Sequence, residues 1–329
     1  MADSLTTLST TLTTIIMPII ITIGVIGNIL NIIILTRPTL RHHPCSYYFL
    51  ALGFNDLFYC VSLIYSLLTH GYQIHPEYSS LFWCKVLFTI ASLLPFISAY
   101  LIVLASVDRF CASSTNARLR NWNNTVVARS AILIMITFWC LFHINTLVLC
   151  ELNFADYIGC GIRLKTLYNQ ILTIIEAVLF AILAPCLMAL FGMLTILNTK
   201  QVRLLPKAKS SYRRTEGQLI RMLLIQVATY LVLNIPLCVT YVMLILPIGY
   251  QITSNFMFAF TITQFAFSLS YATPIFLFVL SSRVYREVFF QLVYKVLRIN
   301  DGTRVHPMSM TYGFQATATH FNTLTVVHK

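Results

Sequence analysis

Seven apolar stretches, each long enough to cross a bilayer, dominate this chain and leave it few folds to adopt. They lie near residues 13–36, 46–69, 83–109, 127–149, 169–197, 218–246 and 254–280. About 20 predominantly apolar residues carry a helix across about 30 Å of hydrocarbon, and every stretch reaches that length. Hydrocarbon holds no water to satisfy exposed backbone groups, so each span must close its hydrogen bonds internally, as a helix. Composition agrees, with 58% of residues hydrophobic and 10% charged, against about 25% charged in soluble domains. The expected fold is an all-α membrane protein: a seven-transmembrane helix bundle with a short C-terminal membrane-surface helix at 283–297. An extracellular N-terminus (1–12), one helical domain (13–298) and a cytoplasmic tail (299–329) complete the expected organisation.

The formal net charge of +12 invites a nucleic-acid reading, which the distribution of that charge excludes. Placing the N-terminus outside puts 19 of the 22 Lys and Arg in or beside cytoplasmic segments near 37–45, 110–126, 198–217 and 281–329. Lys85, Arg163 and Lys165 are the three on the outer side. This asymmetry orients the chain by the positive-inside rule, N-terminus out and C-terminus in. The basic excess then serves topology and lipid contact, as expected for a multi-pass protein of the plasma membrane. The first dozen residues are Thr/Ser-rich and lack a positive n-region and a cleavage site, so span one is expected to be an uncleaved anchor. Of nine cysteines, Cys84 at the start of span three and Cys160 in the loop after span four face outward. An oxidising outer compartment favours joining them, with Cys150 the rival partner for Cys160.

Each span carries polar or helix-bending residues that a purely lipid-facing helix does not need. Asp56 is the carboxylate well inside span two, and an unpaired carboxylate in hydrocarbon costs several kcal/mol. It is expected to face the bundle interior, with Asn28 of span one and Ser98 of span three as hydrogen-bonding partners and a cation or water site as its functional reading. The bland reading is polar glue between helices. Pro185, Pro236 and Pro274, the last preceded by Thr273, each remove a helical hydrogen bond and allow spans five, six and seven to kink. Asp108-Arg109-Phe110 ends span three, 25 residues after Cys84, and an Arg at a membrane edge is costly enough to mark a functional or topological position.

Taken in order, these residues resemble the rhodopsin-like (class A) G-protein-coupled receptors. The resemblance rests on Gly27-Asn28, the Leu52-x-x-x-Asp56-Leu57 run, Cys84 and Arg109 at their spacing, Trp139, Cys160, Pro185, Pro236, Pro274 and the amphipathic 283–297. It implies a Cys84–Cys160 disulfide, a heterotrimeric G-protein partner, and possible use of arrestin. It also implies that the Arg109 end of span three rests against span six and pairs there with Glu216, 20 residues before Pro236. Loop lengths are similar to those of invertebrate receptors for short neuropeptides, including the FMRFamide type. Three departures stand out. Phe110 replaces the family's Tyr, Leu233-Asn234-Ile235-Pro236 lacks the aromatic toggle of span six, and Thr273-Pro274-Ile275-Phe276-Leu277 lacks the Asn and Tyr of span seven.

The resemblance also narrows the ligand. Amine receptors of the family carry an Asp 18 residues before the Arg, where this chain has Ala91. Light receptors need a span-seven Lys, where this chain has Phe267. The candidate ligand residues are Tyr65, His70, Phe88, Ser92, Glu176, Asn234, Tyr241, Thr263 and Gln264, with Glu176 available to a basic ligand group. An extracellular ligand, a short neuropeptide foremost, is therefore expected, with a chemosensory role for a small apolar molecule as the alternative. A non-signalling receptor-like protein is the reading raised by the altered spans six and seven. A transporter needs inverted repeats or a polar pathway, and the sequence offers Asp56 without a repeat. An enzyme needs a constellation that His143, with no acid on its own helix, does not supply, and no cofactor is expected.

Overall fold

The computed structural model describes residues 2–41, 43–153, 159–162, 167–203, 210–245 and 253–297. Six of its helices are each long and apolar enough to cross a membrane, and a bent pair supplies the seventh span. Span one is the helix Ala2–Leu35, span two Pro44–Ser66 extended by a π turn, Leu67–Gly71, and span three Leu81–Ser113. Span four is Thr125–Leu149. Span five runs Leu167–Ala177, a π turn Val178–Leu183, then Ala184–Arg203. Span six is Ser210–Ile245, span seven Ser254–Ala272 with Pro274–Ser281, and the surface helix is Arg283–Leu297. Residues up to Phe290 belong to one compact unit. The expected tail, 299–329, lies outside the described residues.

Helix starts follow from local chemistry. The side chains of Ser80, Asn124 and Thr253 accept hydrogen bonds from Trp83 N, Val126 N and Phe256 N at 3.3, 3.0 and 3.3 Å, satisfying donors that a first turn leaves free. Span one begins ten residues or so before the apolar run does. Leu5, Leu8 and Leu12 recur there at helical spacing, and hydroxyls bond back along the segment, Thr10 Oγ1 to Thr6 O and Thr11 Oγ1 to Thr7 O. Ser9 Oγ also donates to Thr261 Oγ1 of span seven at 3.0 Å. The 34-residue helix rises about 51 Å, well beyond the hydrocarbon thickness, so residues 2–12 continue the helix of span one past the apolar run.

The three expected kinks differ in form. Pro274 opens a new helix and the two halves of span seven meet at 51°. Pro236 lies inside the continuous helix of span six. Pro185 follows the π turn of span five, where the extra residue per turn absorbs the missing donor.

Small residues set the approach of span one to its neighbours. A Cβ on Gly24 would collide with Cys60 Sγ of span two, and one on Gly27 would meet Ile275 Cγ2 of span seven at 2.8 Å. Close backbone approach is what holds membrane helices together where lipid offers no hydrophobic drive. Between spans three and four, buried Trp139 packs against Phe96 and Tyr100 at ring distances of 4.7 and 4.6 Å. After span four, β1 (Cys150–Asn153) pairs antiparallel with β2 (Gly159–Ile162), Leu152 opposite Cys160. A Cys84–Cys160 disulfide joins β2 to the first turns of span three.

Candidate ligand cavity and cytoplasmic switch

The half of the bundle that carries the start of span one encloses a cavity of about 520 Å³, within the range of small-ligand sites. Spans one, two, three, five, six and seven all contribute walls. The π turn of span five places Phe180 and Ala181 in the wall, and the early start of span one brings Ser9, Thr10 and Thr13 into the lining. Phe96, Phe180 and Phe267 form an aromatic chain across spans three, five and seven, with ring distances of 5.2 and 6.0 Å. These phenylalanines escaped sequence reasoning, because aromatic residues on apolar helices usually signal packing alone. The role played by Phe267 was partly visible in its place at the light-receptor Lys position.

Of the nine candidate ligand residues, the structure brings Tyr65, His70, Ser92, Glu176, Tyr241 and Gln264 into this cavity. Phe88 stands a turn outward of the lining that begins at Ala91 on span three. Asn234 is turned inward and buried, its amide donating to Tyr230 O at 2.7 Å. Thr263 braces spans six and seven through Thr240, with 3.2 Å between the hydroxyl oxygens. Asn234 and Thr263 are drawn away by these contacts and Phe88 by its level on the helix, so none of the three lines the cavity. Glu176 is the sole carboxylate in the lining, and no hydrogen bond or ion pair engages it among the described residues.

Below the cavity, Ser98 Oγ donates to Asp56 Oδ1 at 2.5 Å and accepts from Asn55 Nδ2 at 2.7 Å. Asn55, overlooked in the sequence beside its acidic neighbour, also donates to Leu94 O at 2.9 Å. Asn28 does not join Asp56. Its amide donates to Tyr271 O at 2.9 Å, because Gly24 and Gly27 let span one lie close to span seven. Thr273 likewise bonds within its own helix, to Ser270 O at 3.1 Å, as it caps the break at Pro274. A cation at Asp56 would therefore find one carboxylate and a hydroxyl already engaged, short of the six or so oxygens a hard cation takes.

At the end of span three opposite Cys84, Arg109 is fully buried, its Nη2 and Nε donating to Asp108 Oδ2 at 2.7 and 3.1 Å. Nη2 also reaches Asn123 Oδ1 at 3.4 Å in the loop before span four. Phe110 packs on Phe191 of span five, ring centroids 5.7 Å apart. The side chain of Glu216 lies outside the described residues, and so does its expected pairing. Span six makes a second junction here. Gln218 Oε1 accepts from Ser282 Oγ and from Val284 N, both at 3.2 Å, at the start of the surface helix. Asn31 of span one accepts from the Tyr285 hydroxyl on that same helix.

Seven spans, an outer cavity, a disulfide over its mouth and a buried Asp-Arg pair at the opposite end define a seven-helix membrane receptor. The family profile described as 7 transmembrane receptor (rhodopsin family) matches residues 27–276. The chain belongs to this family, the class A G-protein-coupled receptors. Comparison with curated proteins finds no match.

Proposed function

We propose that this receptor couples an extracellular ligand, bound in the cavity beside Glu176, to a heterotrimeric G protein at the Arg109 end of span three. The carrying observation is a mostly apolar cavity of about 520 Å³ whose lining holds a carboxylate, Glu176, with no hydrogen bond or ion pair among the described residues. Such a site suits a ligand with an apolar body and one basic group, and the end of a short neuropeptide carrying an Arg or Lys has that chemistry. An ionic hydrogen bond contributes about 1.5–3 kcal/mol, which makes Glu176 the main polar determinant of affinity.

The mechanism is a population shift between two bundle states. In the resting state Asp108 holds Arg109, and Gln218 ties span six to the surface helix. A ligand that binds better when span six swings outward favours the open state, which exposes Arg109 to the G protein. The 19-to-3 split of basic residues supports a plasma-membrane receptor with its N-terminus outside and its basic rim facing the cytoplasm, where lipid headgroups and arrestin would also meet it. A second reading, chemosensing of a small neutral molecule, is favoured by the Leu, Met and Phe share of the lining.

The test screens amidated short peptides and small apolar odorant-like molecules for G-protein activation in cells, on wild type and Glu176→Gln. The proposal expects a basic peptide to respond and to lose about 10- to 100-fold in potency in the variant. Responses confined to neutral molecules, unchanged in Glu176→Gln, would replace the peptide reading with the chemosensory one.

A further inference from the structure

A third sulfur lies against the outer disulfide. Cys150 Sγ is 3.5 Å from Cys84 Sγ and 3.9 Å from Cys160 Sγ, and Cys150 is fully buried with its thiol free. The ladder register explains the juxtaposition. Leu152 lies opposite Cys160, so Cys150, two residues earlier, is a diagonal neighbour on the same face of the ribbon. Cys150 also ends span four, which fixes it at the level where span three begins.

We propose that this cluster lets the outer disulfide migrate, from Cys84–Cys160 to Cys84–Cys150, making the tether of the outer hairpin a switchable one. The step conserves electrons. Cys150 gives its proton to solvent, its thiolate attacks Cys84 Sγ, and the Cys84–Cys160 bond breaks. The electron pair leaves with Cys160 Sγ, which takes up a proton. One disulfide and one thiol exist before and after, so no external oxidant or reductant is consumed. Attack on Cys84 is favoured over attack on Cys160 by the shorter distance, and because diagonal ladder neighbours stand about 7–8 Å apart, wide for a disulfide.

Cys150 lies to the side of the existing bond, nearly equidistant from its two sulfurs, whereas exchange needs approach along the bond axis. Its side chain must therefore rotate, which the packed hairpin opposes until β2 loosens. Burial also pushes the Cys150 thiol up, with Glu151 adding to the rise and Lys85 opposing it. Tyr65 of span two faces the same thiol. The exchange is consequently slow at rest and faster at higher pH. Its product ties span three directly to the end of span four and releases β2 from span three.

The test maps disulfides in full-length receptor from cells, incubated at pH 6, 7 and 8, then acid-quenched, alkylated and digested without reduction. The expected result is a Cys84–Cys150 linked peptide whose rate of appearance rises about tenfold per pH unit, with Cys160 alkylated in equal amount. Cys150→Ser should abolish it, and Cys160→Ser should form Cys84–Cys150 as its sole outer bond. Cys84–Cys160 alone at every pH, with alkylation of Cys150 only, overturns the proposal. That wild-type map decides the matter even if Cys160→Ser fails to reach the surface.

Discussion

Gln218→Ala should make the receptor more active without ligand. In the structure its Oε1 accepts two hydrogen bonds, from Ser282 Oγ and Val284 N, each 3.2 Å long. Both donors sit where span seven gives way to the surface helix, while Gln218 rides on span six. An outward swing of span six separates them, so the pair stabilises the resting state selectively. A hydrogen bond contributes about 0.5–1.5 kcal/mol net, and Gln218 is only half-buried, so about 1–2 kcal/mol in total is a fair magnitude. At 1.4 kcal/mol per tenfold, the resting-to-open ratio should fall about 5- to 30-fold. The assay is ligand-independent G-protein activation per receptor at the cell surface, with Gln218→Glu as control. Glutamate keeps the acceptor, and a charged acceptor binds the same donors more strongly, so its basal signal should sit at or below wild type. Basal activity of Gln218→Ala within twofold of wild type, at equal surface density, would refute the idea that this junction restrains span six.

Other consequences concern the interior. Ser98→Ala removes the hydroxyl that donates to Asp56 and accepts from Asn55, leaving a buried carboxylate underserved. It should cost about 1–3 kcal/mol, read as a lower melting temperature in detergent, and Ser98→Thr should recover most of it. Gly24→Val drives a branched Cβ into Cys60 Sγ, so thermal stability and surface expression should both fall, whereas Gly217→Ala, with open space around it, should leave both unchanged.

Much of this architecture was legible because hydrocarbon permits few alternatives. Apolar runs gave the spans, and the surface helix falls at the expected 283–297 because its apolar positions recur at helical spacing. Helix ends were harder. The Thr/Ser run before residue 13 carries only Leu5, Leu8 and Leu12 as apolar signal, and its contact with Thr261 comes from the far end of the chain. The π turn at Val178–Leu183 left no mark in a uniformly apolar segment, yet it helps set which face of span five meets the cavity. The outer hairpin depends on a disulfide between residues 76 apart. The polar network was half legible. Ser98 and Asp56 meet as their levels in the bundle suggest, but Asn28 turns to Tyr271, 243 residues away, a pairing decided by the close approach at Gly24 and Gly27.

The most direct measurement of the central claim is G-protein activation by wild type and Arg109→Ala receptors matched for surface density. The account predicts ligand-stimulated activation in wild type and its loss in the variant, since the proposed open state would release from Asp108 the guanidinium that is buried here and offer it to the G protein. Ligand-stimulated activation in Arg109→Ala equal to that of wild type would contradict it.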